Sequence, residues 1–282
     1  MQQLKMSIES KFNQLSKGVQ KVASYFLKDP EAFAVYPADQ IGKLTGVSET
    51  TVIRFCQSLG FKGYSGFQRE IQEGLLNRRS SLSDYQSGKR AIHESSNFLQ
   101  EVMFADAQNM KKVASRLNEA DFHQAVHQLA AAEQVIVAGV RSSYPMASWF
   151  SFSLDLIQGK VKQYRSNHDD ILLLFSEINE HTVLVAFSFH RYALETINLA
   201  KEAKKRGAAV IGITDSAVAP IREHCDILFP VELPVQSTLD ATPAVFSLLN
   251  AMIAGVAVQK GEDFERRRQR FESVQLDHYF VK

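Results

Sequence analysis

Apolar residues fall at helical spacing through the first part of the chain: Phe12, Leu15, Val19, Val22 and Phe26, then Ile41, Leu44, Val47, Val52, Phe55 and Leu59. Recurrence every three or four residues lines one face of a helix, and no strand-like run interrupts it, so this region predicts an all-α domain. A further helical stretch runs over about 98–117. Beyond it the pattern changes. The apolar runs VIVAGV (135–140), TVLVAFSF (182–189), AAVIGIT (208–214) and DILFPV (226–231) alternate with helical segments, and KVKQY stands between the first two. Strands that are apolar throughout and separated by helices predict a parallel sheet covered on both faces, a doubly wound α/β domain over about 120–262. Within it, Asp169 and Asp170 open one helix, where carboxylates favour the dipole, and Gly207 closes the next.

Between the two patterns lies RRSSLSDYQSGKRAIHESSN, rich in Ser and charge and lacking apolar periodicity, as a solvated linker requires. The expected organisation is therefore an all-α domain over 1–77, a linker over 78–97 and a connecting helix over 98–119 that is a candidate dimer contact. The α/β domain over 120–262 and a C-terminal helix and tail over 263–282 complete it.

Composition narrows the class. With 282 residues, 45% hydrophobic and 22% charged, the chain can bury a core in each half, which excludes wholesale disorder. Cys56 and Cys225 lie far apart and outside any zinc-ligand spacing, so both read as buried thiols and no metal is expected. His123 and His127 stand four apart but lack a third ligand, and a solvated helix face accounts for them. The N-terminal residues have no apolar signal core, and nothing approaches ~18 consecutive apolar residues. A cytoplasmic protein without a membrane partner is the expectation. The net charge is +1, yet residues 1–80 carry 11 Lys and Arg against 7 Asp and Glu, leaving 21 against 24 for the rest. A basic first module suits a polyanion.

The stretch ADQIGKLTGVSETTVIRFCQ (38–57) has helix-turn-helix spacing. Small Gly42 sits where two helices press together, Gly46 at the turn, Ser48 at the N-cap of the second helix, and Val52 buries that helix on the first. Glu49, Thr50, Thr51, Ile53, Arg54 and Gln57 remain for the outward face, whose N-terminal end would enter the major groove of double-stranded DNA. Arg54 is the candidate for a guanine edge, and Thr50 and Thr51 for a base or a phosphate. Lys62, Tyr64, Ser65 and Arg69 are candidate phosphate contacts. An ordinary helical hairpin with a wet polar face is the alternative.

In the α/β domain, ligands belong at the carboxyl ends of strands. The first such end gives Gly139, Arg141, Ser142 and Ser143 at a helix start that attracts phosphate. The second gives Ser188, His190, Arg191 and Tyr192. A third candidate is Ser237 with Thr238 before the last long helix. Capping alone could account for the serines, and a subunit interface or salt bridge for His190 and Arg191. A single glycine in the first loop makes a nicotinamide cofactor improbable, and no cofactor is expected. No catalytic residue is assigned.

The residues GVSETTVIRFCQSLGFKGYSGFQ, GVRSSYPMA and FSFHRY together resemble the RpiR family of bacterial transcription regulators, over nearly the whole chain. The resemblance implies an N-terminal helix-turn-helix domain joined to a sugar isomerase (SIS) domain with a five-stranded parallel sheet. It also implies control of sugar-catabolic genes by a phosphorylated sugar or sugar derivative. It carries the recognition helix to Glu49–Ser58 and the first phosphosugar loop to Gly139–Ser143. The second loop, usually Ser-x-Ser-Gly in SIS enzymes, is Ser188, Phe189, His190 and Arg191 here, and Arg141 stands where a second glycine is common. Expected partners are a DNA operator, a phosphosugar effector and further copies of the chain, as homodimer or homotetramer. A SIS domain that only dimerises, or a phosphosugar isomerase using His190 as base, are the competing readings.

Overall fold

The computed structural model describes residues 4, 8, 11–12, 15–76, 85–86, 88–90, 97–233 and 237–274. Linker positions 78–84, 87 and 91–96, and the tail 275–282, lie outside the described residues. The chain divides into two compact units, 1–79 and 80–282.

The first unit is helical: α1 (Lys17–Lys28), α2 (Pro30–Val35), α3 (Ala38–Thr45), α4 (Glu49–Ser58) and α5 (Tyr64–Leu76). The chain reverses sharply between α1 and α2 because Asp29 ends one helix and caps the other. Its carboxylate accepts the Ala32 N–H at 3.2 Å, and Pro30 follows at the first helical position, where no N–H is needed. Four fully buried rings, Phe26, Phe33, Phe55 and Phe67, form the centre, each touching the other three with centroids 5.2–6.1 Å apart. One ring comes from each of α1, α2, α4 and α5, so a single cluster ties the helices together. Leu44, predicted for this core, is instead half exposed. The buried residues of α3 are Ala38, Ile41 and Gly42, and a residue two positions past Gly42 lies on the opposite side of the helix.

The second unit begins with α6 (Phe98–Ala114) and α7 (Glu119–Ala131) and continues with β1 (Gln134–Gly139), α8 (Tyr144–Gln158) and β2 (Val161–Gln163). Then come α9 (Ile171–Glu177), β3 (Thr182–Ser188), α10 (Leu194–Lys205), β4 (Ala209–Thr214), β5 (Ile227–Pro230), α11 (Thr238–Lys260) and α12 (Glu262–Glu272). The five strands are parallel in the order β2-β1-β3-β4-β5, the predicted fold class. Alternate residues face opposite ways. Val135, Val137, Val183, Val185, Phe187, Ile211 and Ile213 pack with α7, α8 and α11. Ile136, Ala138, Leu184, Ala186 and Val210 pack with α9 and α10.

Local chemistry sets the helix ends. Asp170 caps α9 by accepting from the N–H groups of Leu172 and Leu173, and Gly207, at φ 88°, follows α10. The 23-residue α11 is apolar enough to cross a membrane by composition. Here it is a core helix that buries Ala241, Ala244, Val245, Leu248, Leu249, Met252 and Val256.

This strand order fixes where a ligand can sit. β1 and β3 are neighbours, paired from Gln134↔Thr182 to Gly139↔Phe187, yet the chain leaves β1 toward β2 and β3 toward β4. The two outgoing loops therefore diverge and leave a crevice beyond Gly139 and Ser188.

Candidate functional site

In the first unit, the helix-turn-helix geometry follows from four residues. A Cβ on Gly42 would lie 2.8 Å from the carbonyl oxygen of Val47, so only glycine lets α3 approach the turn this closely. Gly46 takes φ 66°, a left-handed conformation that a side chain would strain. Ser48 caps α4, its Oγ accepting the Thr51 N–H at 3.4 Å, and Val52 is fully buried. These constraints leave Glu49, Thr50, Arg54 and Gln57 exposed on one side of α4, with Lys62, Ser65 and Arg69 exposed beyond it.

Two candidates change role. Thr51 is half-buried, with its hydroxyl 3.0 Å from Ser48 Oγ and its methyl close to Gly18 of α1, so it belongs to the capping structure. Tyr64 is buried, and its hydroxyl lies 3.1 Å from the carbonyl oxygen of Phe33 and 2.7 Å from that of Tyr36. It has no edge left for a phosphate, and burial pushes its phenol pKa upward. Tyr64→Phe should therefore lower stability by about 1 kcal/mol in urea unfolding and leave DNA affinity unchanged. A salt-dependent fall in DNA affinity would restore the phosphate role.

The charge pattern on α1 went unread in the sequence. Lys17, Lys21 and Lys28 are exposed and spaced by four and seven residues, which places them on one face. Gly18, between the first two, packs against Thr51 at the start of α4, so the lysines flank the N-terminal end of that helix.

In the second unit, a cavity of about 330 Å³ lies in the crevice between β1 and β3. Arg141, Ser142, Ser143, Ser188, His190, Arg191, Ser237 and Thr238, singled out at three separate strand ends, all line it. Gly139 lies behind them and supports the loop. A Cβ there would come within 2.9 Å of the Ser143 carbonyl oxygen.

Ala193 and Thr196 also line the cavity and were not anticipated. Thr196 sits inside the first turn of α10, and only the packing of that helix turns it toward the cavity. Ser143, Ala193 and Ser237 are the N-caps of α8, α10 and α11, and none of them makes a side-chain capping bond. Capping therefore does not account for the two serines. Three helix N-termini converge on one cavity; α10 and α11 leave first-turn N–H groups without intrahelical partners, whereas α8 continues the tight turn over 141–143, in which Ser143 N–H donates to Val140 and Tyr144 N–H to Arg141, and Pro145 has no N–H.

The walls point the same way. Ser143, Ser188, Thr196 and Ser237 are buried hydroxyls, and the oxygens of Ser188 and Thr196, with His190 Nδ1, have no hydrogen-bond partner among the described residues. A buried hydroxyl without a partner is destabilising, so this floor is built to donate to something else. Among the described residues, no carboxylate lines the cavity. Nearby acids are engaged. Asp240 pairs with Lys89 at 2.8 Å, and Asp215 accepts the His190 N–H at 3.0 Å and the Tyr192 hydroxyl at 2.9 Å. Burial pushes the Asp215 carboxyl pKa up, and these two bonds oppose the shift while pinning the second loop to the end of β4.

Arg141 and Arg191 stand exposed at the rim with φ 57° and 69°. The left-handed region costs a side-chain-bearing residue roughly 1–2 kcal/mol, so both loops keep a glycine-like backbone while carrying a guanidinium.

The remaining candidate clusters carry no site. His123 pairs with Glu119 on an exposed face, Arg266 and Arg268 pair within α12, and Arg267 donates to the Asp155 carbonyl. Burial pushes the Cys56 and Cys225 thiols up to about 12, and Cys225 is only partly covered.

Comparison with known proteins agrees with this geometry. Residues 2–78 match the rpiR-family helix-turn-helix domain and residues 128–255 the SIS domain. A Haemophilus influenzae HTH-type transcriptional regulator is 27% identical over 78% of this chain and 76% of its own length. The Pseudomonas aeruginosa regulator HexR is 23% identical over 96% of this chain and 95% of its own. The Vibrio vulnificus NanR protein, solved in complex with ManNAc-6P, superposes with a TM-score of 0.56 at 18% identity, covering 95% of this chain and 96% of that one. The sugar isomerase domain of a Sphaerobacter thermophilus RpiR transcription factor gives 0.56 at 18% identity over 62% of this chain and 97% of that one. With both domains matched in order and the helix-turn-helix and switch-point cavity both formed, the chain belongs to the RpiR family of transcriptional regulators.

Proposed function

We propose that this protein controls carbohydrate-metabolism genes by binding operator DNA through α4, with an affinity set by a phosphorylated sugar or sugar derivative in the β1–β3 cavity. The observation that carries the effector half is the convergence of three uncapped helix N-termini on a floor of buried, unpartnered hydroxyls. That arrangement favours a compact oxyanion such as phosphate. The sugar phosphate held by the NanR relative supports the same ligand class. A cavity used for dimerisation alone would have no need of hydroxyls without partners. An isomerase would need a general base at the reacting carbons, and the named relatives are transcriptional regulators; we assign no catalytic residue.

The proposed DNA contacts are Glu49, Thr50, Arg54 and Gln57 in the groove, with Lys62, Arg69, Lys17 and Lys21 on flanking phosphates. Lys21→Ala should then weaken binding to all sequences alike and reduce the salt slope by about 1. A sequence-selective loss, or an unchanged slope, would remove it from the interface. We also propose a homodimer or homotetramer acting in the cytoplasm. Exposed Leu99 and Met103, four residues apart on α6, offer a second copy an apolar stripe.

A thermal-shift screen with phosphosugars tests the effector. A ligand that binds only the native state at 100 times its Kd should add about 2.7 kcal/mol of stability, and no shift with any phosphosugar would overturn the reading.

A further inference from the structure

We infer that the ion pair between Lys89 and Asp240 couples the cavity to the linker: an anion held at the start of α11 and a docked Lys89 stabilise each other, so an occupied cavity fixes the segment of chain that leads back to the helix-turn-helix. This rests on the phosphosugar reading above and goes further by naming the contact through which occupancy is felt outside the cavity.

The sequence predicts a solvated linker over 78–97, and Lys89 departs from it. Its Nζ lies 2.8 Å from the Asp240 carboxylate, with the two side chains 19% and 13% exposed. In every other ion pair among the described residues at least one partner is substantially exposed. The centroid of the Tyr85 ring stands 5.2 Å from the same ammonium, and Asp106 of α6 adds negative charge nearby. Burial pulls the Lys89 pKa down, and the bond to Asp240 with the surrounding negative charge more than offsets it, so the group is held charged, above its ordinary range.

A buried ion pair gives up hydration at both ends and contributes little net stability, so its best-attested use is to fix a register or a switch. The position of this pair suits that use. Asp240 stands in the first turn of α11, and the three residues before it, Ser237, Thr238 and Leu239, line the cavity. An anion at that helix start and the Asp240 carboxylate repel each other and draw on the same positive dipole end. A docked Lys89 cancels the carboxylate's charge and removes the repulsion. The two events are then linked with one sign. The docked lysine raises anion affinity, and by reciprocity the anion strengthens the docking of Lys89. The chain from α5 must pass Lys89 to reach α6, so this docking fixes one point of the linker.

The test is hydrogen–deuterium exchange of the full chain with inorganic phosphate as the probe, against sodium chloride of equal ionic strength, together with calorimetric titration of phosphate. The variants are Lys89→Met, Asp240→Asn and the two together. The double variant replaces both charges with neutral groups of similar size, a change that folded proteins commonly tolerate, and unfolding curves check all three. In the wild-type chain, phosphate should slow exchange at the cavity loops 139–143 and 188–192, and by at least about fivefold in the linker peptide that contains Lys89. Lys89→Met should weaken phosphate binding by at least about fivefold, and Asp240→Asn should not weaken it. The double variant should bind phosphate within about twofold of wild type, yet show no slowing in the linker peptide.

Slowed exchange at the cavity loops with none around Lys89, or a phosphate affinity that Lys89→Met leaves unchanged, overturns the coupling and leaves the phosphosugar reading standing. A double variant that binds phosphate as weakly as Lys89→Met would mean that the pair holds the shape of the cavity and not its charge balance, and overturns the coupling as well. Phosphate that neither binds nor slows exchange at any loop would overturn the phosphosugar reading and this inference with it.

Discussion

Ser188→Ala combined with Thr196→Val is expected to abolish the response of operator binding to phosphosugar while leaving the protein at least as stable as before. Both hydroxyls are 2% exposed, and neither has a partner among the described residues. Removing a buried polar group that makes no hydrogen bond relieves a desolvation cost, and Val preserves the shape of Thr, so unfolding midpoints should stay level or rise. Ligand binding should move the other way. A hydrogen bond to a charged group contributes about 1.5–3 kcal/mol, so losing two should weaken a phosphate ligand by more than about 100-fold. Urea unfolding and titration calorimetry on one preparation read both effects. Reduced stability with intact ligand affinity would mean that the hydroxyls serve the fold, and the floor assignment would fall.

The second large effect is expected on the DNA side. Arg54→Ala should cost about 1–3 kcal/mol of operator binding, on the order of 5- to 150-fold, and should relax preference at one base pair. Arg54 is exposed on α4, on the side left outward by the burial of Val52, Phe55 and Cys56. Its fork matches the O6 and N7 atoms of guanine, whereas a lysine there would act only as a point charge. Competition against an operator library separates the two roles. A uniform loss on every sequence would reassign Arg54 to the phosphate backbone, and no loss would remove it from the interface.

How much of this was legible in the sequence depended on whether the controlling interaction is local. Gly42, Gly46, Ser48 and Val52 were readable because a helix-turn-helix fixes its contacts within about fifteen residues. The parallel sheet was readable because strands buried on both faces lose their alternation. Tyr64 was not readable. Its hydroxyl meets carbonyls about thirty positions earlier in the chain, brought within reach by a cluster of four phenylalanines. Leu44 fell to a similar limit, since apolar character alone does not say which side of a short helix faces the core.

In the cavity, the strand-end rule brought in the polar loop residues but not Ala193, which carries no polar group, nor Thr196, which enters from inside a helix. Asp215 could have been noticed, because an acid directly after the apolar run of β4 stands at the same end of the sheet as the ligand loops. The left-handed conformations of Arg141 and Arg191 have no signature in arginine itself. The glycines common at both positions in the related loop pattern were the available hint.

The central claim is that one molecule reads DNA with its first unit and a phosphosugar with its second, and that the two events are coupled. Binding of the full chain to the DNA upstream of its own gene, at fixed salt and with a panel of phosphosugars, tests this most directly. The account predicts specific binding that one compound shifts by about tenfold or more, with operator DNA shifting that compound's affinity by the same factor. Specific binding that no phosphosugar alters, or no specific binding at all, would contradict it.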